Sequence, residues 1–286
     1  MDERPLLFLD SGIGGIPYAQ FFHFRNRNEK LIYVADRENF PYGPRPRENV
    51  IELAVSLVKK FAAVYDPKVL IVACNAISVS ALQALREKFP DLPVVGTVPA
   101  IKLAVKKSLT RRIGVIGTQR TVEDPSIAEL AVCYGPDCSI VSEAAPELVE
   151  FIEHRWLTAD ERERLETVKF WTEKFLAKGA DTLVLACTHF LFLKEEFNAV
   201  AGNDIAIIDS VEGVTKRVES FLDREGRRSP LASGEEIPLM LVTGVAPLEE
   251  NWGQLCLRFG FGLNSGRKIN NEPTQTDSIE KEDDIH

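Results

Sequence analysis

The sequence predicts an α/β protein of two pseudo-symmetric lobes, each a mostly parallel sheet flanked by helices, with the active site in the cleft between them. Two observations lead to this fold class. Short apolar runs alternate with helical patterns along the chain. Two of these runs, 69–73 and 183–186, end in Ala and are followed by Cys74 and Cys187. Because parallel strands end at the crevice where α/β proteins bind ligands, both thiols are expected to face one cleft.

The composition restricts the class of protein. The chain has 286 residues and is 45% hydrophobic, which is enough for two modest lobes or one large domain. No apolar run approaches the ~20 residues of a membrane span, and the first residues enter a strand directly, so we expect neither a membrane segment nor a signal peptide. Five cysteines are an odd number that suits a reducing compartment. We therefore expect a cytoplasmic protein.

The charge is concentrated at one end of the chain. The net charge is −9, and residues 271–286 hold six acidic residues and one lysine. The remainder lacks the clustered basic residues of a nucleic-acid surface, so we expect no nucleic-acid partner and no membrane partner. The segment 265–286 has few apolar residues and is predicted to be a disordered acidic tail. The sequence leaves the oligomeric state open, a homodimer included.

Hydrophobic periodicity gives the elements of the first lobe. The clearest helix is 49–64, where apolar residues recur with a period of 3.6. The predicted elements, in chain order, are a strand at 6–9, a strand at 31–34, the helix at 49–64, the cysteine strand at 69–73, a helix to residue 88 and a short strand at 94–95.

The pattern then restarts with a strand at 113–116 and a turn that resembles the first one. Thr158 and Glu161 have the spacing of a capping box, which predicts the start of a long helix there. The other predicted elements are a weak strand at 139–141, the second cysteine strand at 183–186, and strands at 205–208 and 238–243. The last strand is expected to return to the first lobe. We therefore predict a first lobe of 1–97 plus 210–264 and a second lobe of 98–209.

The paired cysteines suggest a particular chemistry. A single buried cysteine at a strand end is as often simple packing, but the repetition favours a function. A following helix is expected to lower the thiol pKa below the ordinary value of ~8.5. Two opposed thiols suit the inversion of a stereocentre, because one removes a proton from one face while the other delivers a proton to the opposite face.

Other motifs are weaker when taken alone. The turn Asp10-Ser11-Gly12 presents backbone N–H groups and a hydroxyl, and Pro17 stands where a dinucleotide fingerprint needs its third glycine. The rigid turn 41–43 can hold a carboxylate. His189 can orient the nearby Cys187. Cys133 and Cys138 lack a second ligand pair, which argues against zinc.

Four motifs in this order resemble the glutamate racemases, which are cofactor-independent amino-acid racemases: Asp10-Ser11-Gly12, Pro41-Tyr42-Gly43, Cys74-Asn75 and Cys187-Thr188-His189. The resemblance covers residues 5 to about 245. It implies an isomerase that interconverts L- and D-glutamate in the bacterial cytoplasm and supplies D-glutamate for peptidoglycan. It also implies that neither pyridoxal phosphate nor a metal takes part.

The resemblance assigns roles by position. Cys74 resembles the base that deprotonates D-glutamate, assisted by Asp10. Cys187 resembles the base for L-glutamate, assisted by His189 and Glu153. The implied substrate contacts fall into three groups: Ser11, Asn75 and Thr188 at the α-amino and α-carboxylate groups; the turn Pro41, Tyr42 and Gly43 at the side-chain carboxylate; and Ala76, Thr118 and Thr121 as further contacts. Glu153 also has a simpler interpretation, since its helical spacing from Glu147 and Glu150 is typical of a solvated face.

Some positions depart from the family pattern. Ala76 replaces the usual Thr, Phe190-Leu191 replaces Tyr-Pro, and Asn39-Phe40 stand where an Arg is common. These changes leave the acid–base groups intact but affect the expected substrate contacts. Two alternatives therefore remain: a racemase of aspartate or another acidic amino acid, and a relative that binds glutamate without turnover.

Overall fold

Two parallel sheets organise the residues that the structure, a computed structural model, describes: 1–230, 237–244 and 250–264. The predicted acidic tail, 265–286, lies outside the described residues. Helices flank both sheets, which confirms the predicted α/β class. Among the described helices, none combines the length and the apolar character needed to cross a membrane.

The described residues form ten strands and eleven helices. The strands are β1 Leu6–Asp10, β2 Leu31–Ala35, β3 Val69–Val72, β4 Val94–Gly96, β5 Arg112–Gly117, β6 Ser139–Ala144, β7 Thr182–Ala186, β8 Ala206–Ile208, β9 Leu239–Val242 and β10 Gly262–Asn264. The helices are α1 Ile16–Arg25, α2 Arg47–Tyr65, α3 Asn75–Lys88, α4 Ile101–Lys107, α5 Gln119–Val122, α6 Pro125–Tyr134, α7 Pro146–His154, α8 Glu161–Ala177, α9 Lys194–Ala201, α10 Val211–Arg224 and α11 Glu250–Phe259. Short 3-10 turns lie at Arg37–Asn39 and Thr188–Leu193.

The first sheet has the strand order β10-β9-β2-β1-β3-β4, and every pair is parallel. All residues of β1, β2 and β3 are buried, as expected where helices cover both faces of a parallel sheet. Strand β9 pairs with β2, with Val34 opposite Leu241. This late part of the chain therefore lies in the same sheet as the N-terminal strands.

The second sheet repeats the central arrangement of the first. Its order is β6-β5-β7-β8, also parallel throughout. Strand β7 pairs with β5 in the same way that β3 pairs with β1. The two strands that lead to the cysteines thus occupy equivalent positions, and parallel direction brings both cysteines to a carboxyl edge.

One hydrophobic core joins the two sheets. A continuous cluster of buried side chains includes Phe8 and Tyr33 from the first sheet and Leu185 from the second. It also contains Trp156, whose ring packs edge-on against Phe192 at 4.8 Å between centroids. Burial of aromatic side chains contributes strongly to packing, so this shared core holds the two sheets against each other.

Two local features differ from the sequence predictions. Helix α8 is capped by Asp160, whose side chain accepts a hydrogen bond from the Glu163 N–H at 2.8 Å. The capping box based on Thr158 is therefore wrong, because that hydroxyl bonds to the carbonyl of Arg155 instead. Several helices, α11 among them, and strand β10 are additional to the predicted elements.

Candidate active site

The two cysteines occupy matching places in the two sheets. Cys74 follows β3 and forms the N-cap of α3, while Cys187 follows β7 and precedes the turn Thr188–Leu193. They are 5% and 4% exposed, respectively. A charge on Cys187 is close enough to raise the pKa of Cys74. The structure therefore brings both thiols into one enclosed site.

Asp10, at the end of β1, connects the two sheets. Its Oδ1 accepts a hydrogen bond from the Gly12 N–H at 3.1 Å, and its Oδ2 accepts one from the Thr188 hydroxyl, also at 3.1 Å. The carboxyl group is completely buried. Burial raises its pKa to about 6, although the nearby His189 charge opposes this shift. Asp10 is thus ionised at neutral pH and becomes protonated in mild acid.

His189 and Glu153 form a pair beside Cys187. The imidazole Nδ1 lies 3.7 Å from the Cys187 sulfur, and Nε2 lies 2.6 Å from a Glu153 oxygen. Burial alone would lower the pKa of His189, but the hydrogen bonds to Cys187 and Glu153 raise that pKa well above its usual value. The group next to the Cys187 sulfur is therefore a cation at neutral pH.

Glu153 does not lie on a solvated face. Its side chain is 9% exposed and also accepts the Ile13 N–H at 2.9 Å, whereas Glu147 and Glu150 on the same helix are exposed. The helical-spacing interpretation thus fails for Glu153 alone, because this last turn of α7 meets the Gly12–Ile13 loop. The structure places Glu153 against the His189 nitrogen that faces away from the Cys187 sulfur.

The predicted pKa of Cys74 is wrong in direction. Helix α3 follows the cysteine, and the Ile77 N–H does favour the thiolate. Burial has a larger effect and raises the pKa of Cys74 well above its usual value, and the negative charge of Asp10 adds to the increase. The loss of hydration therefore exceeds the stabilisation by the helix end, and Cys74 is a neutral thiol at pH 7.

Asn75 has an unusual environment for a buried amide. It is 3% exposed, and neither its side-chain oxygen nor its nitrogen has a hydrogen-bond partner. Buried polar atoms in proteins are nearly always paired, so such a group at the start of α3 indicates a place for a ligand. The Ser11 hydroxyl lies 3.8 Å from the sulfur of Cys74, the residue before Asn75, and 3.4 Å from Oδ1 of Asp10.

A second group of predicted residues meets where α5 approaches the turn 41–43. The hydroxyls of Thr118 and Thr121 lie 3.1 Å apart. A Cβ atom added to Gly43 would lie 3.1 Å from the Cβ of Thr118, which is tighter than an ordinary contact, so a side chain at this position would press on Thr118. Tyr42 is buried and Pro41 is half-buried in the same turn. Ala76 is buried next to Asn75, with no side-chain hydroxyl to offer.

Sequence reasoning missed a residue that shapes the first loop. Tyr33, on β2, donates its hydroxyl to the carbonyl of Gly12 at 2.7 Å and accepts the Gly15 N–H at 3.0 Å. It is completely buried. The only signal in the sequence is a polar ring in an otherwise apolar strand.

The site therefore combines two buried thiols, each with an ionisable neighbour, where two similar parallel sheets meet. Such groups have the chemistry for proton transfer to and from a small substrate. The comparisons agree with this class. The pattern of the Asp/Glu/Hydantoin racemase family matches residues 22–218. The chain belongs to that family of isomerases, within its glutamate racemase group.

Three relatives illustrate the similarity. The glutamate racemase of Treponema pallidum (strain Nichols) is 40% identical over 210 residues, which cover 73% of this chain and 78% of that protein. The glutamate racemase of Actinobacillus pleuropneumoniae serotype 3 (strain JL03) is 37% identical, covering 81% and 87%. The crystal structure of Escherichia coli glutamate racemase with L-glutamate and the activator UDP-MurNAc-ala has a TM-score of 0.78 and 30% identity, covering 91% and 97%.

The different neighbours of the two thiols predict different reactivity. At pH 7, iodoacetamide should modify Cys187 at least about tenfold faster than Cys74, because a cation lies beside the first and a carboxylate beside the second. The two are almost equally buried, so access does not explain a difference. Rates are measured by peptide mass spectrometry, with the exposed Cys133 as an internal reference. Equal or faster modification of Cys74 would contradict the assignment.

The missing hydroxyl at Ala76 leads to a prediction about kcat/KM for glutamate. The hydroxyl of Ser78 cannot replace the missing threonine, because it already bonds to the carbonyl of Val72 and the N–H of Thr97, each at 3.1 Å. Ala76→Thr should therefore raise kcat/KM for glutamate by a few-fold to about tenfold, as one added hydrogen bond would. Ala76→Val, which has the same shape without the hydroxyl, is the control. If both variants change kcat/KM alike, the effect is steric.

Proposed function

We propose that this chain interconverts L- and D-glutamate by moving protons between Cα of the substrate and the sulfur atoms of Cys74 and Cys187. The observation that carries the proposal is the pairing of two buried thiols at equivalent strand ends, with an anion beside one and a cation beside the other. Inversion at Cα needs one base and one acid at the same moment, on opposite faces.

The L-to-D direction begins with Cys187 as the thiolate, which a protonated His189 favours. Its sulfur takes the Cα proton, so the Cα–H bond breaks and an S–H bond forms. The electron pair left on Cα then accepts the proton of Cys74 on the other face. Glu153 holds the imidazolium in place, since it bonds to the ring nitrogen that faces away from the sulfur.

The D-to-L direction reverses these roles. Cys74 acts as the thiolate and Cys187 as the thiol. The high pKa of Cys74, caused by burial and by Asp10, makes its thiolate a strong base, which helps because a Cα–H group is a weak acid. Asp10 therefore assists through its charge.

The substrate groups can be assigned to the remaining residues. Ser11, Asn75 and Thr188 contact the α-amino and α-carboxylate groups, and the unpaired amide of Asn75 supports this position. Backbone N–H groups in the turn 41–43 hold the side-chain carboxylate. Thr118 and Thr121 add hydroxyl contacts from α5.

The proposed product fits the role of the family, which is the supply of D-glutamate for peptidoglycan. We place the protein in the cytoplasm, where cell-wall precursors are made and thiols stay reduced. A panel of acidic amino acids would separate glutamate from aspartate as the preferred substrate. Binding of glutamate without turnover would instead favour a relative that has lost catalysis.

Removal of either thiol should stop the reaction in both directions. Cys74→Ala and Cys187→Ala are each expected to lower the rate by at least about 10²-fold, because each direction needs a base and an acid. Circular dichroism follows the reaction from either enantiomer, with no cofactor added. Cys256→Ala is the control, since this cysteine is also buried but contacts Met240. Near-normal turnover in either active-site variant would refute the two-thiol mechanism.

The pKa of Asp10 predicts a pH dependence. Because this pKa is raised to about 6, the carboxyl group is ionised at pH 7 and protonated at pH 5, so kcat/KM should fall below about pH 6. The enantiomers have equal free energy, so kcat/KM must be the same in both directions, and either can be measured. The Asp10→Asn variant should have a lower kcat/KM, and its kcat/KM should no longer fall below about pH 6; we call this fall the acid limb of the profile. An unchanged limb in that variant would show that another group titrates.

A further inference from the structure

Asp36 is a buried carboxylate without an assigned role. It follows β2 and is completely buried. Its oxygens accept hydrogen bonds from the Tyr42 hydroxyl at 2.5 Å, from the Thr243 hydroxyl at 2.6 Å and from the Asn39 amide at 3.0 Å. A carboxylate is an acceptor only, so it can receive all three donors at once.

These donors belong to three separate segments. Thr243 follows β9, Asn39 lies in the 3-10 turn, and Tyr42 lies in the turn 41–43. The backbone N–H of Asp36 also bonds to the carbonyl of Asp10 at 2.9 Å. The carboxylate is therefore fixed to the ends of the central strands, and it ties the Tyr42 ring to them.

The turn is also held from its other side. Arg45 donates its Nε to the carbonyls of Asn39 and Pro41, at 2.9 and 3.2 Å. Within the described part of the chain, the structure gives no acceptor for the backbone N–H groups of Tyr42 and Gly43. Two free donors in a rigid turn are suited to bind a carboxylate.

We propose that Asp36 is a specificity-determining positioning residue, which fixes these two N–H groups at the distance from the thiols that the distal carboxylate of glutamate requires. The inference rests on the proposed function and concerns the same site. Asp36 does not touch the substrate and acts through the Tyr42 hydroxyl. A turn that is rigid before binding loses less entropy when the ligand binds. Removing the Asp36 contact makes the turn less rigid, so it should weaken affinity for the distal carboxylate rather than slow proton transfer.

The carboxylate is specifically needed at this position. Asp36→Asn has nearly the same shape, but its NH2 group is a donor and would face donors from the neighbouring segments. The variant should therefore loosen the turn with little change in core volume. Tyr42→Phe removes only the hydroxyl and leaves the carboxylate in place.

The test compares ligands with and without the distal carboxylate. For Asp36→Asn we expect KM and Kd for D-glutamate to rise about tenfold or more, because that is the effect of losing one hydrogen bond to a charged group. We expect kcat to change by less than about threefold. The Kd for D-2-aminobutyrate, which has the same α-centre but no distal carboxylate, should stay constant. Tyr42→Phe should show the same pattern. The double variant should bind D-glutamate as tightly as Asp36→Asn does, because both changes remove the same contact.

Val34→Ala is the matched control, because Val34 lies on β2 two residues before Asp36 and is equally buried. It should lower the melting temperature without changing KM. If Asp36→Asn does not fold, Tyr42→Phe carries the same comparison. An unchanged KM for glutamate, or an equal loss of affinity for both ligands, would overturn the proposal.

The outcomes also separate this inference from the proposed function. A wild-type protein that binds glutamate but does not racemise it would reject the proposed function, while the Kd comparison would still decide the role of Asp36. A wild-type protein that does not bind glutamate at all would overturn both.

Discussion

Buried hydrogen bonds that cross between the two sheets hold the candidate active site together. Thr188 donates to Asp10, and the Ile13 N–H donates to Glu153, which also bonds to His189. The bonds from Thr188 to Asp10 and from Ile13 to Glu153 each join a loop at the end of one sheet to a residue of the other half. Loss of one partner of a buried or partly buried hydrogen bond leaves the other unsatisfied, so these contacts restrict how the two halves meet. The positions of both thiols depend on that restriction.

The two halves are similar in architecture, but the charged groups beside their cysteines have opposite signs. Cys74 lies near the carboxylate of Asp10, whereas Cys187 lies near the imidazolium of His189. An exchange of protons between two like groups requires one thiol and one thiolate at a time, and burial and the charge of Asp10 favour the neutral thiol at Cys74.

The sequence predicts those parts of the site that periodicity and strand ends control. Both cysteine strands and the turn after β1 follow from apolar runs that stop at small polar residues. The predicted thiol pKa of Cys74 is wrong because burial is a property of the packed structure. Glu153 comes only from the resemblance, since helical spacing indicates a solvated face and its partner His189 is distant in sequence. Tyr33 and Asp36 act through neighbours brought together by sheet order, which no local pattern reveals.

The most direct test of the two-thiol account is the position of the solvent isotope. L-Glutamate is converted in deuterium oxide, and the reaction is stopped before a tenth of the substrate has reacted. The two enantiomers are then separated, and the deuterium content of each is measured by mass spectrometry. The account predicts deuterium at Cα of D-glutamate and none in the remaining L-glutamate, with the mirror result from D-glutamate. Transfer of the original proton into the product, or equal labelling of both enantiomers, would contradict it and indicate a single base.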